Sequence, residues 1–173
     1  MKRICVISDT HGSNTAIDAV VSASGEVDGF FHLGDCAGDA KRIAEKTGRP
    51  VYSVLGNCDY GFHRELEESV FPLPQKRVTT ERVVTVENAR ILLTHGHLYG
   101  VDMGDFTLGY RAEELNCAAV LYGHTHMSEL SAFGKVLKLN PGSPSRPRGG
   151  RKPSYAVLEI DGGDVNAAIR PLK

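Results

Sequence analysis

Arg3-Ile4-Cys5-Val6-Ile7-Ser8-Asp9-Thr10-His11-Gly12 is a short apolar, β-branched run that stops on a carboxylate and an imidazole. The run reads as a strand through Ser8, and Ser13 or Asn14 can cap a helix through about Ala23 that Gly25 stops. The same unit recurs downstream. Gly29 to Leu33 repeats the strand signal, Asp35 follows it, Asp39 can cap a helix to about Thr47, Gly48 ends that helix, and Val51 to Leu55 supplies a third strand. Alternation of this kind predicts parallel βαβ units with right-handed crossovers. Ligands of such sheets gather beyond the carboxyl ends of the strands, where Asp9, Asp35 and Asn57 each fall.

Further along the chain the pattern changes. Arg77 to Val86, the turn-like Glu87-Asn88-Ala89 and Arg90 to Thr94 predict a hairpin, and Asp105 is placed to cap a helix to about Leu115. Ala118 to Tyr122 is another strand. Met127 to Phe133, Lys135 to Leu139, Tyr155 to Ile160 and Val165 to Arg170 predict an antiparallel meander, with turns at Gly134 and at Asp161-Gly162-Gly163-Asp164. A second sheet is therefore expected after the first. Pro141 to Pro153, dense in Gly, Pro, Ser and Arg, reads as a loop.

The chain has 173 residues, enough for one domain with a sizeable core, and residues 1–173 are expected to form a single one. A hydrophobic content of 41%, a charged content of 24% and a formal charge of -1 give no case for disorder. Twenty basic residues against 21 acidic ones argue against a broad nucleic-acid-binding surface, although Arg146, Arg148, Arg151 and Lys152 form a local cluster able to meet an anion. As a solvated Arg-rich loop the same cluster needs no ligand. No apolar run is long enough to span a bilayer, and the first one breaks at Asp9, too early for a signal peptide. Cys5, Cys36, Cys58 and Cys117 include no Cys-x-x-Cys pair, so reduced thiols and a cytoplasmic location are expected. A homo-oligomer is compatible with the composition.

The chemistry lies in the residues that follow the strands. Asp9 and His11, one residue apart, would point to the same side of an extended segment and share one cation. Asp35 has two oxygens, which suits it to bridge a pair of cations. Asn57 adds a neutral oxygen, His95 follows its own strand, and His124 and His126 are again one residue apart. Taken singly, each has a structural explanation as a helix cap or a hydrogen-bonded core residue. Gathered together, so many polar and ionisable groups would be costly to bury without cations. The oxygen and imidazole mixture suits Mn, Fe, Zn, Ni or Co and suits calcium poorly.

Ser8-Asp9-Thr10-His11-Gly12, His32-Leu33-Gly34-Asp35, Gly56-Asn57-Cys58-Asp59, Thr94-His95-Gly96-His97 and Gly123-His124-Thr125-His126 together resemble the ordered motifs of the calcineurin-like metallophosphoesterase superfamily. Asn140-Pro141-Gly142-Ser143 is similar to a further motif of its small single-domain phosphodiesterase branch. The resemblance spans nearly the whole chain. It implies an α/β fold of two mixed β-sheets packed as a sandwich and flanked by helices, in four layers. It also implies two divalent metal ions, Mn first, with Ni, Zn, Fe, Co or Mg as alternatives. One would be held by Asp9, His11, Asp35 and His126 and the other by Asp35, Asn57, His95 and His124. Two such ions about 3.5 Å apart would activate a bridging hydroxide to attack a small or nucleotide-like phosphodiester. No Gly-x-Ser-x-Gly elbow offers a covalent route instead.

Four residues are candidate catalytic groups on the same resemblance: Asn57, Cys58, Asp59 and His97. Many family members carry histidine where this chain has Cys58, which can donate a proton but lacks a cationic form. Cys58 as a small packing residue is the alternative. Asp59 is a candidate to orient a metal-bound imidazole, or else a turn carboxylate. His97 is assigned to the pocket, His32 to the surroundings of the ligands or to the core, and His63 to the surface. Asn140 and Ser143 are candidates to shape the rim, although Asn-Pro-Gly is a sufficient turn signal. Two other functions carry weight: a phosphomonoesterase or nucleotidase in which Arg146, Arg148 or Lys152 meets the extra charge of a monoester, and a scaffold resembling a small subunit of the eukaryotic retromer coat, whose metal site is degraded. A nuclease is the fourth possibility, weakened by the near-neutral charge.

Overall fold

The computed structural model describes residues 1–59 and 78–172. His63 and the first residue of the expected hairpin, Arg77, lie outside the described residues. The elements run β1 (Lys2–Ile7), α1 (Asn14–Ser24), β2 (Gly29–His32), α2 (Asp39–Thr47), β3 (Val51–Ser53), β4 (Glu81–Val86), β5 (Ala89–Thr94), α3 (Phe106–Glu114), β6 (Ala119–Leu121), β7 (Glu129–Phe133), β8 (Val136–Asn140), β9 (Ser154–Asp161) and β10 (Asp164–Pro171). Local chemistry sets several boundaries. Ser13 caps α1 by accepting from the backbone of Ala16 at 3.3 Å. Gly48, in the left-handed conformation, closes α2. Glu87 and Asn88 both take positive φ, the two-residue turn that matches the twist of a hairpin, so Ala89 belongs to β5 and pairs with Val86.

Two five-stranded sheets result, in the orders β10-β9-β1-β2-β3 and β4-β5-β6-β8-β7. In the first, β1, β2 and β3 are parallel. In the second, β5, β6 and β8 are parallel. Alternation along the strands sorts the apolar residues into three layers of packing. Val6, Phe31 and Leu33 meet Leu93, Leu121 and Leu139 between the sheets. Cys5, Ile7 and Phe30 face the other way, onto Ile17 and Val20 of α1 and Ile43 of α2. Leu92, Val120 and Val136 do the same for the second sheet, against Leu108 and Ala112 of α3. The arrangement is helix, sheet, sheet, helix, as the motifs implied.

The expected four-strand meander does not form. β7 and β8 pair antiparallel in the second sheet, but β9 and β10 return to the first sheet, where β9 pairs antiparallel with β1. Burial explains the split. Residues 154–158 of β9 are buried on both faces, which suits an interior strand, whereas Glu129, Leu130 and Ala132 leave β7 an exposed edge. Residues 141–153 must therefore cross from one sheet to the other, and they pass beside the strand ends.

Candidate metal centre

The parallel strands of both sheets finish on one side of the molecule. Asp9, Asp35 and Asn57 follow β1, β2 and β3, while His95, His124 and Asn140 stand at the ends of β5, β6 and β8. Among the described residues nine non-glycine positions have positive φ, and six of them are Asp9, His11, Asp35, Cys36, His124 and His126. Left-handed backbone costs about 1–3 kcal/mol per residue outside glycine and persists where function requires the geometry. Asp9 and His11 do meet, but through this tight left-handed turn and not through the extended alternation expected from their spacing. Gly56 and Gly123 allow the close approach of segments, since a Cβ at either would overlap Asp35 Oδ1 or Ser8 Oγ respectively.

Ligand atoms of Asp9, His11, Asp35 and His126 all lie within 4.8 Å of one another, an arrangement able to hold a metal ion. His126 Nε2 is 3.2 Å from both Asp9 Oδ1 and His11 Nε2. Asp35 faces two ways. Its Oδ2 is 3.8 Å from His11 Nε2, and its Oδ1 is 3.3 Å from His95 Nε2. Beyond His95 the polar atoms continue: His95 Nε2 lies 3.2 Å, and His124 Nδ1 2.9 Å, from Asn57 Oδ1.

Tautomers follow from the outward contacts. The Leu33 carbonyl accepts from His95 Nδ1 at 2.7 Å and the Arg146 carbonyl from His126 Nδ1 at 2.6 Å, so a neutral ring at each position turns an Nε2 lone pair inward. His124 donates from Nε2 to the Asp102 carboxylate at 2.7 Å and turns Nδ1 inward. Each lone pair then faces carboxylate or amide oxygen. Asp9 Oδ2 accepts from the His124 backbone at 3.1 Å, yet Oδ1, fully buried, has no donor aligned on it. Lone pairs aimed at lone pairs repel unless a cation stands among them, so these residues fit divalent metal. Without metal, protons serve in part. The nearby Asp9 carboxylate holds the His126 pKa above the ordinary imidazole value, and the carboxylates of Asp35 and Asp9 raise that of His95 against burial. Burial opposes ionisation of Asp35, but the His95 imidazole and the Cys58 N–H hold its carboxyl well below the usual range.

The surrounding groups fix the turns. Asp59 does not orient an imidazole. Its Oδ1 accepts from the backbone of Cys36 and Ala37, and its Oδ2 from Asp35 and Gly56, so the turn-carboxylate alternative describes it. Thr10 Oγ1 donates to Asp39 Oδ2 at 2.6 Å, and buried His32 stands 2.9 Å from the same hydroxyl. Asp39 also accepts from Gly12 N, so its carboxylate braces the Asp9 turn instead of capping α2. Asn140 and Ser143 are fully buried and form a floor, not a rim: Asn140 donates to the Gly123 carbonyl, and Ser143 to the Asp9 carbonyl at 2.8 Å. His97 lies 5.4 Å, ring to ring, from His95 and 6.1 Å from His124. Cys58 is exposed, which removes its reading as a packing residue. Arg146 and Arg148 reach the centre through their backbone contacts with His126, and both side chains are exposed.

Sequence reasoning missed Thr10, Ser145 and Asp102. Ser145 donates to the Asp9 carbonyl at 3.0 Å. Thr10 had a signal, its place between two ligand candidates. Asp102 had none, because its contact with His124 spans 22 residues.

The expected motifs and their geometry agree with what comparison finds. The family model for the calcineurin-like phosphoesterase superfamily domain matches residues 1–163. A probable metallophosphoesterase of Bacillus subtilis, YsnB, is 32% identical over 161 residues, 91% of this chain and 84% of its own length. Phosphodiesterase YfcE of Escherichia coli is 31% identical over 179 aligned positions, 93% of this chain and 89% of its own. Vacuolar Protein Sorting 29 from Cryptosporidium parvum shares the fold with a TM-score of 0.72 at 19% identity, covering 98% of this chain and 96% of that one. With its two mixed five-stranded sheets, its Asp and His cluster and a family match over residues 1–163, the chain belongs to the calcineurin-like phosphoesterase superfamily.

Proposed function

We propose that the protein is a binuclear, metal-dependent phosphodiesterase of the cytoplasm acting on a small or nucleotide-like phosphodiester. One observation carries the reading: Asp35 presents a different oxygen to each of two imidazole-bearing groups. Asp9, His11, Asp35 and His126 would hold one ion, and Asp35, Asn57, His95 and His124 the other, with Mn expected first. Bound there, the ions would supply an acidified water and neutralise phosphate oxygens. The chain's own residues do the rest. Asp59 and the Thr10–Asp39 pair keep the ligand turns in place, and His97 borders the pocket. Exposed Cys58 stands beside Asp35, and burial together with that carboxylate pushes its thiol up to about 11. In the metal-free protein it therefore keeps its proton at neutral pH, which makes it a candidate donor to a departing alkoxide. In metal-free protein, alkylation of Cys58 by iodoacetamide should rise through pH of about 11, not through the ordinary 8.5. Mass-spectrometric rates giving a midpoint below 9 contradict this.

The phosphodiesterase name of the relative YfcE and the ligand set here support cleavage of diesters. Metal-stripped protein given Mn or Ni should cleave a chromogenic diester faster than its monoester and bind two equivalents of metal. Absence of metal-stimulated cleavage of both substrates rejects the enzymatic reading. Faster monoester cleavage transfers it to a phosphomonoesterase, for which the exposed Arg146 beside His126 is the supporting feature. A scaffold role would not need seven competent side chains at the strand ends.

A further inference from the structure

The three inward-facing imidazoles are not held alike. His95 and His126 rest on backbone carbonyls, whereas His124 rests on a side-chain carboxylate that is itself 58% exposed. We propose that Asp102 is a positioning residue that fixes His124 with its proton on Nε2 and its lone pair on Nδ1, and that it thereby sets the affinity of the Asp35, Asn57, His95 and His124 group for metal. This rests on the binuclear reading above.

The loop that carries Asp102 is built to place it. Residues 96–105 leave β5 and return to α3, and both ends are tied down. Near the start, the Tyr99 hydroxyl donates to Glu81, which Arg111 of α3 also grips at 2.8 Å. At the far end, Asp105 accepts from Lys138 and from the Tyr122 hydroxyl. Tyr122 is two residues before His124. The same short segment therefore delivers the imidazole and anchors the loop that supports it. Between these ties Asp102 reaches His124 at 2.7 Å.

Charge gives the contact its purpose. The Asp9, His11, Asp35 and His126 group contains two carboxylates, whereas the second group contains only the shared Asp35 and completes its oxygen set with the neutral amide of Asn57. A carboxylate bound to the far nitrogen of His124 restores negative charge to that side. It also selects the tautomer. In a free imidazole both tautomers are populated, and the wrong one would aim an N–H, not a lone pair, at the centre.

Two variants separate orientation from charge. In metal-free protein, nitrogen-15 correlation spectra of His124 should show the Nε2–H tautomer in the wild type and in Asp102→Asn, whose amide oxygen still accepts. Asp102→Ala should show a mixture. In calorimetric titration with Zn, the weaker of two sites should lose about 10- to 100-fold in affinity in Asp102→Ala and less in Asp102→Asn, while the tighter site holds. An unchanged tautomer, or an unchanged weaker site, in Asp102→Ala overturns the proposal. A wild-type protein that binds fewer than two ions refutes the binuclear reading instead. The metal-free tautomer then decides the role of Asp102 by itself.

Discussion

Replacing Asp35 with alanine is expected to lower metal-dependent diester cleavage by about 1,000-fold or more and to reduce bound metal from two equivalents to one or none. The size follows from the charge stabilisation a metal supplies, several kcal/mol, at about 1.4 kcal/mol for each factor of ten. In the proposed binuclear assignment every other ligand candidate serves one group. Asp35 turns a separate oxygen to each, Oδ2 toward His11 and Oδ1 toward His95, so its loss would disarm both. The fold should survive. Asp35 lies beyond the end of β2, and its backbone N–H keeps its bond to Asp59 whatever the side chain. Removing the carboxylate also takes a buried anion out of the metal-free state, while the backbone stays left-handed. The comparison that checks this is kcat/KM for a chromogenic diester with Mn present, alongside elemental analysis and circular dichroism of the same samples. A folded Asp35→Ala protein retaining more than a tenth of the wild-type rate excludes Asp35 as the shared ligand.

The ligand positions were readable because they interrupt apolar runs. A carboxylate or imidazole one or two residues after Ile7, Leu33 or Thr94 breaks a strand pattern at the place where parallel sheets collect ligands, and the breaks recur strand after strand. The reason the pairs converge was not readable. Spacing of one residue suggested an extended segment at Asp9-Thr10-His11, whereas the chain takes positive φ at both of these flanking residues and again at His124 and His126. Asp, Asn and His are enriched in left-handed conformations, but not strongly enough for their presence to mark where the chain adopts one. Sheet membership of β9 was hidden for a related reason. An apolar run such as Tyr155 to Leu158 announces burial on both faces but not its neighbour, and pairing with β1 spans the length of the chain. Contacts between residues more than 20 positions apart also concealed Asp102 and the carboxylate network of Asp39, whose position at the start of a helix reads as an ordinary cap.

Asp59 combines the fold and the centre in one side chain, and its replacement by alanine should produce the largest loss of stability among the residues around the centre. The carboxylate is 3% exposed and accepts four backbone N–H groups, from Gly56 at 2.7 Å, Ala37 at 2.9 Å, Cys36 at 3.0 Å and Asp35 at 3.1 Å. Hydrogen bonds to a charged acceptor contribute about 1.5–3 kcal/mol each, and orphaned buried donors carry a further penalty. These effects overlap, because alanine leaves space for water, and a total near 5 kcal/mol is the expected order. For a chain of this size that corresponds to a fall in Tm of roughly 10–20 °C. Asparagine should do little better. Its amide supplies one acceptor but aims its NH2 at two of the N–H groups the carboxylate had satisfied. The pattern across variants distinguishes this role from catalysis. Asp35→Ala should lose activity with little change in Tm, while both Asp59→Ala and Asp59→Asn should lose Tm first, and metal affinity as the turns carrying Asp35 and Gly56 relax. Thermal unfolding of metal-free protein is the deciding measurement, since bound metal would mask part of the loss. A shift below about 3 °C in Asp59→Ala would mean that the four N–H groups find other partners.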